Sequence, residues 1–195
     1  MSEPVAAGVV CHSGWCVMVT VQGPPARPLV VDRRRADLVA ADLPGPLYHA
    51  ARAMPLDEAE RLVRRVEASA RRHAWSALEA LRADLGARAE LRAVSVRRSG
   101  SPVPPTVAGV LASHPAMHTA EGALYRDVIR AAAQELDVVV HDHDPRLDAE
   151  RAAPLLGTTP GELEAHLRST GRALGPPWRK DHRVAVLAAA LALLG

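Results

Sequence analysis

Phenylalanine is absent from the 195 residues, aromatic side chains make up only 3%, and Lys180 is the one lysine among 24 basic residues. Arginine, alanine and valine take up the difference along the whole chain, so abundant arginine is not by itself a mark of nucleic-acid binding. The formal net charge of +2 also falls short of the strongly basic balance of a dedicated nucleic-acid binder. No apolar run reaches the roughly 18–20 residues that a membrane-spanning helix requires. The N-terminus lacks a basic region followed by an apolar stretch and a small-residue cleavage site, so no secretory leader is expected and the expected compartment is the cytosol. Cysteine is scarce as well. Cys11 and Cys16 match no CxxC zinc or redox spacing. On a straight strand, residues five apart point to opposite faces, and the two read as small buried thiols.

What is present describes a globular chain: 48% hydrophobic and 24% charged residues, enough for a single domain over 1–195 with a sizeable core. Charge is uneven along it. Residues 60–98 hold ten arginines against five acids, and residues 121–166 four arginines against ten acids. Solvated helix faces account for this pattern, and so does a basic ridge beside an acidic pocket.

Valine-rich runs at 5–11 and 15–22, separated by His12-Ser13-Gly14, predict a hairpin. Gly23-Pro24-Pro25 turns the chain into a third strand within Arg27–Val39, giving an antiparallel meander. Leu43–Met54, rich in proline, reads as a linking loop. From Pro55 to Gly86 apolar residues recur with helical period. A strand follows at Glu90–Val96, then a helical stretch over 106–136 in which Pro115 marks a kink or the true start, then a strand at Asp137–Val140. Two short helices fill 145–175, where Thr159 and Glu162 form a capping box around Pro160. Arg179–Leu194 is a last, alanine-rich helix.

This order predicts an α/β fold: a three-stranded antiparallel meander, two strands joined in parallel through helical crossovers, and flanking helices. It resembles the ribonuclease H-like superfamily, including the RuvC-type resolvases. The resemblance rests on element order, on the glycine-bounded segment Gly8-Val-Val-Cys-His-Ser-Gly14, and on Lys180-Asp181-His182 entering the final helix. In it, 145–175 is a helical insertion before the last helix. The resemblance implies phosphodiester hydrolysis by two divalent cations held by carboxylates, the first on strand one and one at Asp181. Strand one, however, carries Val9, Val10 and Cys11, followed by His12.

The residues themselves offer a further constellation. His114, His118, Glu121 and Tyr125 are spaced 4, 3 and 4 apart, which places them on one stripe of a helix. Two histidines four apart share a metal readily, and a carboxylate three further on serves as third ligand or base. The expected site therefore comprises Glu121 and Asp181 as the acidic pair, with His12, His114 and His118 as ligands or proton carriers. Its cofactor would be a divalent metal, Mn²⁺, Mg²⁺ or Zn²⁺. Arg97, Arg98 and Lys180, with Ser99-Gly100-Ser101 as flexible donors, would hold the phosphate of a nucleic acid or of a phosphorylated small molecule. A non-catalytic binding or assembly module of the same fold is the alternative. His141-Asp142-His143-Asp144 is expected as an exposed turn after the last strand. Ala152–Leu174 scans like a helix-turn-helix, but Gly161, Glu162 and Glu164 stand where a recognition helix would present basic or amide side chains to bases.

Overall fold

The computed structural model describes residues 2–195. Its centre is a five-stranded mixed sheet in the order β3-β2-β1-β4-β5. Strand β1 (Glu3–His12) pairs antiparallel with β2 (Trp15–Gln22), and β2 antiparallel with β3 (Leu29–Asp37). On its other edge β1 pairs in parallel with β4 (Ala89–Arg97), and β4 with β5 (Val139–His143). The fold expected from element order is the fold observed, an antiparallel meander extended by two parallel strands and flanked by helices.

Alternation along the strands divides the core in two. Val5, Ala7 and Val9 of β1 face helices α2 (Leu56–Leu85) and α4 (His114–Glu135), where they meet Leu78, Leu81, Tyr125 and Ile129. Ala6 of β1, with Val17 and Val19 of β2, faces α7 (Lys180–Ala192). Helices α5 (Ala149–Leu155) and α6 (Pro160–Leu174) join that second layer, α5 through Ala152 and Ala153 and α6 through Leu163 and Leu167, all fully buried. Helix α7 lies so close to the sheet that a Cβ at Gly8 would sit 1.9 Å from the Ala185 carbonyl oxygen. A glycine in mid-strand is thus the condition for α7 to dock. No helix among the described residues is long and apolar enough to cross a membrane.

Four local expectations change. Leu43–Met54 is not all loop: Leu47–Ala51 forms helix α1, whose Leu47, Tyr48 and Ala51 are buried. Its flanking prolines bracket the turn without entering it. The stretch 106–136 is two helices, α3 (Val107–Leu111) and α4, because Thr106 and Ser113 each cap a separate N-terminus. Pro115 stands in the first turn of α4, where its missing N–H costs nothing, so His114 stays on the helix. The last strand runs over Val139–His143 rather than stopping at Val140. Asp137 adopts a left-handed φ of 55° at the end of α4, which delays the strand and draws His141, Asp142 and His143 into pairing with β4. Finally, Cys11 and Cys16 do not point to opposite faces. The chain reverses at Ser13-Gly14, so the two sit directly across the β1–β2 ladder and against the same core layer.

Candidate functional site

Parallel strands β1, β4 and β5 end on the same edge of the sheet, where α/β folds hold ligands. Cys11 and His12 end β1, Arg97 ends β4 and His143 ends β5. Over them lie the first half of α4 and the first turn of α7. Together they line a cleft of about 430 Å³ that includes His12, Ser13, Arg97, His118, Glu121, Arg126, His143, Lys180 and Asp181. Arg98, Gly100 and Ser101 line an adjoining hollow that shares Arg97, His118, Gly122 and Arg126 with the cleft. The opening hairpin, the end of β4, α4 and the tail helix thus bring His12, Arg97, His118, Glu121, Lys180 and Asp181 to one concavity. His114 lies outside it.

The carboxylates are largely engaged. Glu121 is 3% exposed. Its Oε1 accepts from the backbone amides of Tyr48 (3.0 Å) and His49 (3.3 Å) and lies 3.0 Å from His49 Nδ1. These amides open α1, which has no side-chain cap of its own, and a carboxylate satisfies that helix end across the fold. Oε2 accepts only from the Ser13 hydroxyl, at 3.4 Å. Asp181 Oδ2 sits 3.1 Å from His12 Nε2, and the His12 ring is stacked on Trp15 with centroids 4.1 Å apart. A carboxylate beside an imidazole orients the ring through the ring N–H it accepts.

Arginine 126 was not among the residues singled out by spacing. It projects from α4 one turn beyond Gly122, and a Cβ at that glycine would come within 2.8 Å of the guanidinium. The side chain is 8% exposed, Nε has no hydrogen-bond partner, and no carboxylate pairs with it among the described residues. Burial, then repulsion from Arg97, lowers its proton affinity. An arginine so placed is costly unless an anion completes it. His143, also in the cleft, is 5% exposed, with Nδ1 3.2 Å from the Ser95 hydroxyl. Burial and then Arg97 push its pKa down to about 4. Arg130 pairs with Asp142, the neighbour of His143 in β5.

Potential metal donors meet one helical turn away. His49, His114 and His118 place ligand atoms within 4.8 Å of one another, without Glu121 or Asp181 in the group. His114 Nε2 and His118 Nε2 are 2.9 Å apart. Partial desolvation and then the neighbouring His118 and His49 lower the proton affinity of His114, favouring the neutral imidazole. His49 escaped notice in the sequence because it lies in the proline-bracketed segment. Nothing short of the fold brings position 49 to positions 114 and 118.

The pair of divalent cations implied by the resemblance does not fit the donors present. The carboxyl end of β1 offers Val10 and Cys11. On β4, Ser95 is bonded to His143 and is followed by Val96 and Arg97. Of the carboxylates lining the cleft, Glu121 serves α1 and Asp181 faces His12, while Arg126 adds a buried positive charge. Hard dications want several oxygen ligands, and this edge of the sheet does not assemble them.

No protein-family model matches the chain, and no curated protein sequence matches it. Among solved structures, it is similar to Thermus thermophilus RuvC in complex with Holliday junction substrate, with a TM-score of 0.54 and 12% identity over 97% of this chain and 92% of that one. It is also similar to a second Thermus thermophilus RuvC structure, with a TM-score of 0.52 and 14% identity over 96% of this chain and 92% of that one. At such identities the likeness is one of architecture alone: the fold is similar to the ribonuclease H-like fold of RuvC.

Proposed function

We propose that this protein binds nucleic acid, gripping a phosphodiester backbone in the cleft at the carboxyl edge of its sheet. It represents a branch of the ribonuclease H-like fold without the strand-one carboxylate. The observation that carries this reading is Arg126, buried, unpaired and aimed into a cleft that also holds Arg97 and Lys180. A phosphate oxygen would supply the missing acceptor, and charge-assisted bonds of this kind are the strong ones. Arg98 and the Gly100-Ser101 segment extend the basic path over the adjoining hollow. The Holliday junction bound by the RuvC neighbour is a substrate of the same chemical class.

Hydrolysis is the second reading, favoured by the His12–Asp181 pair in the cleft lining, which has the form of a general-base dyad. Two-ion catalysis is not part of it, since the donors for those ions are missing.

The test is fluorescence anisotropy with labelled four-way junction, duplex and single-stranded DNA, in chelator and at several salt concentrations. Binding should weaken steeply with salt. Arg126→Met should weaken it and lower the salt slope by about one. The same substitution should raise the denaturation midpoint of the free protein, because it removes an uncompensated buried charge. Displacement of the DNA by free nucleotides at equal phosphate concentration would assign the cleft to small molecules instead. DNA affinity unchanged in Arg126→Met would overturn the proposal. Cleavage of the same strands, lost in His12→Ala and Asp181→Asn, would favour the hydrolytic reading.

A further inference from the structure

We propose that His49, His114 and His118 form a binding site for one zinc-class dication, with Glu121 positioning His49. Local structure prepares the three rings. The Ser113 cap and Pro115 start α4 so that His114 and His118 stand one turn apart on its exposed side. Helix α1, pinned through the amides of Tyr48 and His49 to Glu121, brings the third ring over them. The His49 centroid lies 5.1 Å from that of His114 and 4.7 Å from that of His118, and the latter two are 4.4 Å apart. Three imidazoles around a zinc ion, at about 2.0–2.1 Å each, place their nitrogens roughly 3.3 Å from one another. The 2.9 Å approach of His114 Nε2 to His118 Nε2 is already close to that edge.

Glu121 supplies the second, independent observation. Its buried Oε1 lies 3.0 Å from His49 Nδ1, which holds the ring proton on Nδ1 and leaves the Nε2 lone pair free. This carboxylate–histidine arrangement orients metal-bound imidazoles. The donor set is all nitrogen, which suits Zn²⁺, Co²⁺ or Ni²⁺ and not Mg²⁺. Three ligands leave one tetrahedral position, which faces water because His114 and His118 are exposed. The ion would tie α1 to the start of α4. The site shares His118 and Glu121 with the wall of the arginine cleft, so the two are read apart: DNA binding in chelator, and metal binding without DNA.

Tag-free protein stripped with chelator is titrated with Co²⁺ and then competed with Zn²⁺. One cobalt ion per chain should bind, with the visible bands of four- or five-coordinate cobalt, and zinc should displace it. Glu121→Gln should weaken affinity by about 10–100-fold, as for an outer partner. His114→Ala, at an exposed position where folding is not at stake, should cost at least as much, while His141→Ala leaves affinity unchanged. Zinc should raise the melting temperature of the parent protein and not that of His114→Ala. Absence of stoichiometric binding, or parent-like affinity in His114→Ala, would overturn the site.

Discussion

Acidification from pH 7 to 4 should destabilise the protein through His143 in particular. Its ring is 5% exposed at the end of β5, where the backbone is held in the ladder with β4, so it cannot swing out to take a proton in water. Burial, and then Arg97 and Arg130, depress its pKa to about 4 against the attraction of Asp142 and Asp144. Above the ordinary histidine value near 6.5, neither the folded nor the unfolded chain carries a proton there, and His143 adds no pH dependence. Below it the unfolded chain binds a proton that the folded one refuses. Stability therefore falls by about 1.4 kcal/mol per pH unit. The loss reaches about 3 kcal/mol by the pH near 4 at which the folded histidine itself titrates. Urea denaturation of the parent and of His143→Gln at half-unit steps isolates this contribution, because acids and histidines common to both cancel in the difference. Glutamine keeps a polar partner for the Ser95 hydroxyl. The two stability curves should run parallel above pH 6.5 and converge or cross below it, as the parent loses its share. Curves parallel down to pH 4, or an imidazole resonance of His143 titrating near 6.5, would refute the burial argument and with it the closed inner wall of the cleft.

Two other outcomes test the packing that positions the site. Gly8→Ala places a methyl 1.9 Å from the Ala185 carbonyl oxygen, so α7 must withdraw from the sheet, and thermal denaturation should show a loss of about 3 kcal/mol or more. Gly100→Ala, with nothing near its Cβ, should leave the melting curve in place. The thiols should be inert: burial pushes Cys11 up to about 12 and raises Cys16 as well. At pH 8 the Cys11 thiolate is then on the order of one part in ten thousand. Iodoacetamide followed by mass spectrometry should label neither cysteine in the native protein and both in urea, and prompt native labelling of either would contradict the packing of the hairpin.

Much of the architecture is legible in one dimension because it is set by periodicity. The 3.6-residue recurrence in α2, the valine runs of β1 and β2, and the Thr159–Glu162 box all act over a few neighbouring residues, and their signals survive without the fold. Where local signals compete, the reading slips. Prolines around Leu47–Ala51 argue for loop, yet burial of Leu47 and Tyr48 and a distant carboxylate on the helix start make a helix there. With Asp137 in a left-handed conformation, β5 starts two residues later than expected and ends three later, which turns an expected surface turn into a strand end with a buried histidine. The site follows the same division. The polar stripe on α4 was visible as spacing, but only His118 and Glu121 of it line the cleft, and its parts have different employments. Glu121 is occupied by α1, and His114 and His118 turn toward His49. Arg126, one turn past Gly122, gave no local cue because its meaning is the lack of a partner. Helical and strand periods thus determine which side of each element is apolar, since neighbours along the chain impose that pattern. Which ionisable groups share a cavity, and which remain unpaired there, depends on contacts between residues up to 169 positions apart, as for His12 and Asp181, and desolvation on folding is what gives those contacts their energy.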